Sequence, residues 1–388
     1  LLFGNPPWSK VNWNEAPLLC EMEVELGVSG AKSKKVKDVR DSRLSAKSYL
    51  EMYTRHYVGS EGTSVFLNDS TVYPELVGFQ TNLYKNFIVV SWRIKSIDGI
   101  SALLHPEGVY EEKSGQIFRS HCFKRLRAHY QFQNSLGLFQ DVKANRKFSI
   151  NIYGNSLGCA SFKNVSNLYH PSTLNFVKEI NEGSVPGLKD QNGKPEVYGN
   201  NTRLMELSKA ELEVIAELIE GSKSSWFYTR LPSIHSKGSL NVLGKIGAVE
   251  RRLDDFKGST KVTPSTFFHE TNAQGKYIHL NKGHVYRAKL PSDLVMVMGH
   301  IGIGNAFSKM PLPGDSVQVQ YEPIDSSVLG GVYLPTSIYE PDLSEVAKVT
   351  PVFAGGRKIT DFYRFCNRTR SQPDDTRTLI SAIRSEEH

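Results

Sequence analysis

Gly4-Asn5-Pro6-Pro7-Trp8, close to the start of the sequence, constrains the chain more than any other feature. The apolar run Leu1-Leu2-Phe3 ahead of it reads as the end of a buried strand. That strand must stop at Gly4, because neither proline has a backbone N–H to donate and each fixes its own φ. Pro7 also confines Pro6 to extended geometry. A stiff turn at the carboxyl end of a strand results, and in open α/β sheets the ligand crevice lies at such ends.

The residue types in this turn suit one kind of chemistry. An exocyclic amine on an aromatic base is a poor nucleophile, because its lone pair is delocalised into the ring. The side-chain oxygen of Asn5 and the backbone carbonyl of Pro6 can accept both amine hydrogens, which draws the nitrogen toward tetrahedral geometry. The same acceptors stabilise the positive charge that develops during attack. Trp8 offers a flat face on which a base swung out of a duplex can stack.

Downstream, residues 27–45, rich in Lys, Ser and Gly, read as a basic loop. The pattern from Pro74 to Ile97 is helical, with Leu83, Phe87, Val90 and Ile94 on one face, and Ile100 to Leu104 forms an apolar strand. A helix is expected from Gln116 to His129, burying Phe118, Cys122 and Leu126. Strands follow near Tyr130–Gln133 and Phe148–Tyr153, joined through Leu138-Phe139. This alternation is half of a doubly wound sheet. After Gly154 the loops lengthen, and the clearest helix starts with a capping box, Ser208 and Glu211, and buries Leu212, Ile215 and Ile219. A domain boundary is therefore expected near residue 155.

Charge is concentrated. The net charge is +7, and the surplus sits in residues 27–43, with Lys34, Lys35 and Lys37, and in residues 357–384, with Arg364, Arg368, Arg370 and Arg377. Basic clusters of this kind favour a polyanion, because neutralising phosphates releases counterions. These seven residues are the candidate DNA contacts. Cys20, Cys122, Cys159 and Cys366 are scattered without metal-ligand spacing, so no metal site is expected, and reduced thiols in a cytoplasmic protein are. No apolar stretch approaches the roughly 20 residues of a membrane helix.

On these residues the sequence resembles the gamma-class amino methyltransferases of restriction-modification systems, in which Asn-Pro-Pro-aromatic is motif IV. Asp98-Gly-Ile-Ser-Ala-Leu-Leu-His-Pro-Glu-Gly108 resembles the family's next strand and its exit loop, and Leu138-Phe139 with Lys147-Phe-Ser-Ile-Asn-Ile-Tyr153 resembles its last two motifs. Residues 263–310, Tyr333-Leu-Pro-Thr-Ser-Ile-Tyr-Glu-Pro341, Tyr363-Arg364 and Arg377-Thr-Leu-Ile-Ser-Ala-Ile383 resemble, more loosely, the C-terminal region of large restriction and phage-defence adenine methyltransferases.

The resemblance implies an α/β chain: a partial Rossmann-like methyltransferase domain over residues 1–155, then a mixed α+β target-recognition domain over 156–388. It implies methyl transfer from S-adenosylmethionine to adenine in double-stranded DNA, within a restriction or defence system. Asn5, Pro6, Pro7 and Trp8 are the implied catalytic residues, and Phe139, with Phe148 as the alternative, the implied second stacking ring. One departure stands out. The family holds S-adenosylmethionine with a Gly-containing loop upstream of motif IV, and Gly299-His-Ile-Gly302-Ile-Gly304, the nearest likeness, lies far downstream and reads as a turn. A sheet without the cofactor-binding strands exposes a hydrophobic edge.

Other readings share these residues. The same tetrapeptide chemistry serves cytosine's amine and a protein glutamine, and a DNA-binding specificity module without catalysis fits the basic segments. Glu111-Glu112-Lys113 after Pro106-Glu107 faintly imitates a metal-nuclease signature.

Overall fold

Strand β1 (Leu2–Gly4) ends where the prolines require. A helical excursion follows: α1 (Glu15–Met22), α2 (Val24–Val28), α3 (Ser33–Arg43) and the long α4 (Lys47–Leu67). Next come α5 (Leu83–Ile94), β2 (Ser101–Pro106), the short α6 (Gly108–Glu111), α7 (Gln116–Cys122), β3 (Leu126–Gln133), β4 (Lys147–Tyr153) and β5 (Ser161–Leu168). The order continues with α8 (Thr173–Lys178), β6 (Met205–Ser208), α9 (Lys209–Ile219) and α10 (Lys237–Gly247). This computed structural model describes residues 1–28, 33–178, 185–221, 225–249, 255, 270–281, 283–297, 300–301, 309–312, 321–325, 327, 329–330, 333–352, 356–367 and 381–384.

Among the described residues, six strands form one mixed sheet in the order β1-β2-β4-β3-β5-β6. β1 runs parallel to β2, β4 antiparallel to both β2 and β3, β5 parallel to β3, and β6 antiparallel to β5. The carboxyl ends of β1, β2, β3 and β5 therefore meet at one end of the sheet, together with the start of β4. This is the α/β, Rossmann-like class expected from the sequence.

The chain divides into two compact units, Leu1–Glu250 and Arg251–His388. The boundary expected near residue 155 is not a break in the sheet: β5 and β6 lie beyond it and extend the same layer. The change of composition there marks the loop between β4 and β5. The second unit is built from short antiparallel pairs, such as Ile278–Leu280 with Tyr339–Pro341, around Ala273, Ile278, Val295, Ile338 and Tyr339. A helix over Leu343–Val349, capped by the Asp342 carboxylate, makes it mixed α+β.

Three local expectations need correction. Ser33–Arg43 of the basic stretch is not a loop: α3 forms because Val36 finds a buried place with Leu19 and Leu26, a neighbourhood that composition does not reveal. Helix α7 stops at Cys122, and Leu126, which fits the helical face, instead opens β3 opposite Tyr153. Helix α5 also turns a different face inward. It buries Tyr84, Ile88, Val89 and Trp92, leaving Phe87 48% and Ile94 66% exposed. Apolar residues surround nearly the whole helix, so periodicity chose no face, and the large Tyr84 and Trp92 surfaces decided it.

The capping box of α9 forms as expected, with Glu211 accepting from Ser208 N–H; Leu212 and Ile215 are buried as expected, together with Ala216, while Ile219 is half-buried. Among the described residues no helix is long and apolar enough to cross a membrane.

Candidate functional site

Gly4 pairs with Leu103, so Asn5 leaves the sheet at the end of β1, beside the last residues of β2 before Pro106. Pro6 is buried while Asn5 and Pro7 are exposed, which leaves the Asn5 amide facing solvent from a fixed support. The chain then anchors to α5: Leu83 N–H donates to Ser9 O at 3.0 Å, and Lys10 forms an isolated antiparallel bridge with Asn82. The motif is thus held on both sides.

Trp8 is half-buried and packs against two apolar cores of the first unit. Its ring lies 6.0 Å from Phe139 at 64° and 6.1 Å from Phe148. Phe139 meets Phe148 edge-on at 5.0 Å, and Phe148 stacks on Phe132 at 5.6 Å. Three residues picked from distant parts of the sequence therefore form one aromatic cluster at the carboxyl end of the sheet. The two phenylalanines differ in exposure. Phe148 is 2% exposed and belongs to the core, whereas Phe139 is half-buried on the loop after β3. The Nε1 of Trp8 is buried without a hydrogen-bond partner, an unmet donor beside the motif.

Behind this cluster lies a charged pair that sequence reasoning missed. Glu107, directly after β2, accepts from Gln131 Nε2 at 2.8 Å and from His129 Nε2 at 3.2 Å. His129 Nδ1 is 2.7 Å from Asn164 Oδ1. Both imidazole nitrogens face acceptors, an arrangement that favours the doubly protonated, charged ring. Burial works against the charged ring, yet the Glu107 carboxylate and the hydrogen bonds to Glu107 and Asn164 raise its pKa. Burial would likewise push the Glu107 carboxyl up. The His129 charge, with hydrogen bonds from His129, Ser149 and Gln131, outweighs that and holds it well below the usual carboxylate range. A sequence signal existed: His129 and Gln131 in β3, like Ser149 and Asn151 in β4, put polar groups at two-residue spacing where a buried sheet face should be apolar.

The nuclease imitation resolves into ion pairs. Glu112 holds Lys85 at 2.8 Å and Glu111 holds Lys147 at 2.9 Å. Among the described residues no group of three or more His, Cys, Asp or Glu side chains is arranged to hold a metal.

Of the candidate DNA contacts, Lys34, Lys35 and Lys37 are exposed on α3. The neighbouring Arg40 and Arg43 are tied to Glu15 and Glu23. Arg364 lies in a strand over Arg364–Asn367 that pairs with Ser381–Arg384, and Arg368, Arg370 and Arg377 lie outside the described residues. So do Gly299, Gly302 and Gly304. β1 ends the sheet, with Leu1 and Phe3 exposed.

No family model matches this sequence, and no curated protein matches it. Two solved structures show partial likeness. One is the M protein of the type I restriction enzyme EcoKI, at 10% identity and a TM-score of 0.24, covering 44% of this chain and 42% of that one. The other is a modification subunit of a putative type I restriction enzyme from Vibrio vulnificus, at 12% identity and a TM-score of 0.25, covering 42% of this chain and 34% of that one. The chain thus spans less than half of either structure, and likeness of this degree assigns no function.

Proposed function

We propose that this chain is part of a DNA adenine methyltransferase, in which Asn5 and Pro6 bind the exocyclic amine of an adenine extruded from the duplex and S-adenosylmethionine is the methyl donor. The observation that carries the reading is the meeting of Asn5-Pro6-Pro7-Trp8 with Phe139 at the carboxyl end of the sheet. Asn5 supplies an exposed amide oxygen on a proline-stiffened support. Trp8 and Phe139 supply two ring surfaces at the same place. Restriction or phage defence, as a subunit or a single chain, is the setting that this chemistry fits.

Mass spectrometry of plasmid DNA incubated with the full-length protein and S-adenosylmethionine tests the assignment. N6-methyladenine is the expected product. Methylcytosine would redirect it to the related amine, methylated glutamine in a protein substrate assayed in parallel would redirect it to the amide chemistry, and DNA binding without any methyl transfer would reduce the chain to a specificity module.

Phe139 is the stacking ring on this reading, and Phe148 supports it from below. Phe139→Ala is expected to weaken trapping of the extruded base by about 1 to 3 kcal/mol, the usual worth of a base–aromatic stack. Phe148→Ala removes a core ring instead and should cost about 3 to 5 kcal/mol of folding stability. Thermal unfolding, together with 2-aminopurine fluorescence at the methylated position mapped from the plasmid, separates the two. An effect on trapping confined to Phe148→Ala would reverse the assignment.

The basic face of α3 is assigned to phosphate binding. Replacing Lys34, Lys35 and Lys37 together by Ala should lower the slope of log affinity against log salt by about one unit for each phosphate no longer neutralised. An unchanged slope would leave these lysines as solvated surface, and the arginines of the 357–384 segment would then carry the DNA.

A further inference from the structure

We propose that Asn134 is a positioning residue for the stacking ring: its side-chain amide fixes the main chain of Phe139 and so aims that ring at Trp8. The proposal rests on the assignment of Phe139 made above. Asn134 begins the loop after β3 and is 1% exposed. Its Oδ1 accepts from Phe139 N–H at 3.0 Å, and its Nδ2 donates to Phe139 O at 2.8 Å and to Val142 O at 2.5 Å. A main-chain N–H only donates and a carbonyl only accepts, so the amide has one possible orientation.

The main chain of Asn134 is engaged as well. Its N–H donates to Arg146 O at 3.0 Å, and its carbonyl accepts from Gly137 N–H at 2.9 Å. Gly137, at φ 67°, makes the left-handed turn that brings the loop back to the amide. One side chain thus pairs with both polar groups of Phe139, as a neighbouring strand would, in a segment that has no strand beside it. The clamp holds the backbone, while the half-buried ring is held by its contacts with Trp8 and Phe148. That distinction matters, because Phe139 now closes on Trp8 at 64°, and admitting a base requires the ring to swing without losing its place.

No other residue type supplies this pairing at this reach. Asp would set an acceptor against two carbonyls, and Ser is too short to span both groups of Phe139. A loop staple with no bearing on the ring is the competing account, and a double-mutant cycle separates the two. With the full-length protein and a duplex carrying 2-aminopurine at the methylated position, Asn134→Ala should lower the fluorescence enhancement at least about fivefold, as Phe139→Ala does. The double variant should lose no more than Phe139→Ala alone. Asn134→Asp should match Asn134→Ala, and Asn134→Ser should fall between it and wild type. Hydrogen exchange over residues 134–146 should quicken in each Asn134 variant, which shows that the folded protein has lost the clamp.

Losses that multiply in the double variant, or a wild-type signal in Asn134→Ala despite faster exchange, would overturn the proposal while leaving the methyltransferase reading intact. A wild-type protein that gives no enhancement at all would overturn the reading of the site, and this proposal with it. Should Asn134→Ala fail to fold, Asn134→Ser carries the same comparison.

Discussion

Asn5→Ala should abolish methyl transfer while leaving duplex affinity and folding stability nearly unchanged. Asn5 is exposed and its neighbour Pro6 is buried, so truncating the amide removes an acceptor without opening the core. Surface changes of that kind usually fall within about 0.5 kcal/mol of wild type. The rate should respond quite differently. The amide oxygen accepts one of the two amine hydrogens, and the interaction strengthens as the nitrogen becomes positive, so its loss falls on the transition state rather than on binding. Removing one preorganised hydrogen-bonding group at a reacting centre costs about 10²-fold or more in rate. Quantifying N6-methyladenine in plasmid DNA, alongside a gel-shift titration and a melting curve, checks all three parts. Methylation within tenfold of wild type would remove Asn5 from the chemistry.

The motif was legible in the sequence because its physics is local. Two successive prolines cannot donate to a ladder, so the end of β1 at Gly4 could be read from the residues themselves. The capping box of α9 was legible for the same reason, since Ser208 and Glu211 satisfy each other within one turn. What stayed hidden depends on partners distant in sequence. Composition made residues 27–45 look unstructured, but the α3 helix exists through Val36 and its burial with Leu19 and Leu26. Helix α5 carries apolar residues on almost every side, so only the sheet beneath it could select the Tyr84 and Trp92 face. Glu107 looked like part of a loop motif, because nothing in its neighbourhood shows that β3 will bring His129 and Gln131 against it. The meeting of Trp8 with Phe139 spans a similar separation, and there the family pattern supplied what spacing alone could not.

The Glu107–His129 pair leads to the second large effect. Replacing His129 by Gln leaves a fully buried carboxylate without its counter-charge, and breaking a buried pair in this way costs about 3 to 5 kcal/mol. The pH dependence identifies the cause. Glu107, held below its ordinary value of 4.5, contributes stability that is present above that value and is lost as pH falls through the folded pKa. His129, raised above 6.5, contributes stability that is complete below that value and is lost as pH rises through its folded pKa. The pair is therefore at full strength between about pH 4.5 and 6.5, and wild-type stability should decline on the alkaline side of that window as His129 gives up its proton. Glu107→Gln removes the charge that keeps the imidazole protonated. Burial is then opposed only by the hydrogen bond to Asn164 and the charge of Glu111, so the pKa of His129 falls and the alkaline decline of stability should shrink. His129→Gln removes the imidazole's slope and leaves burial to push the Glu107 carboxyl up, so any remaining slope belongs to Glu107. Urea denaturation of the three proteins at pH 5.5, 7 and 8.5, taken as differences from wild type, isolates these terms from every other titrating group. The same slope in all three, or a loss under about 1 kcal/mol for His129→Gln, would show that Gln131 and the surrounding amides hold the site without the ion pair, since a typical hydrogen bond contributes about 0.5 to 1.5 kcal/mol.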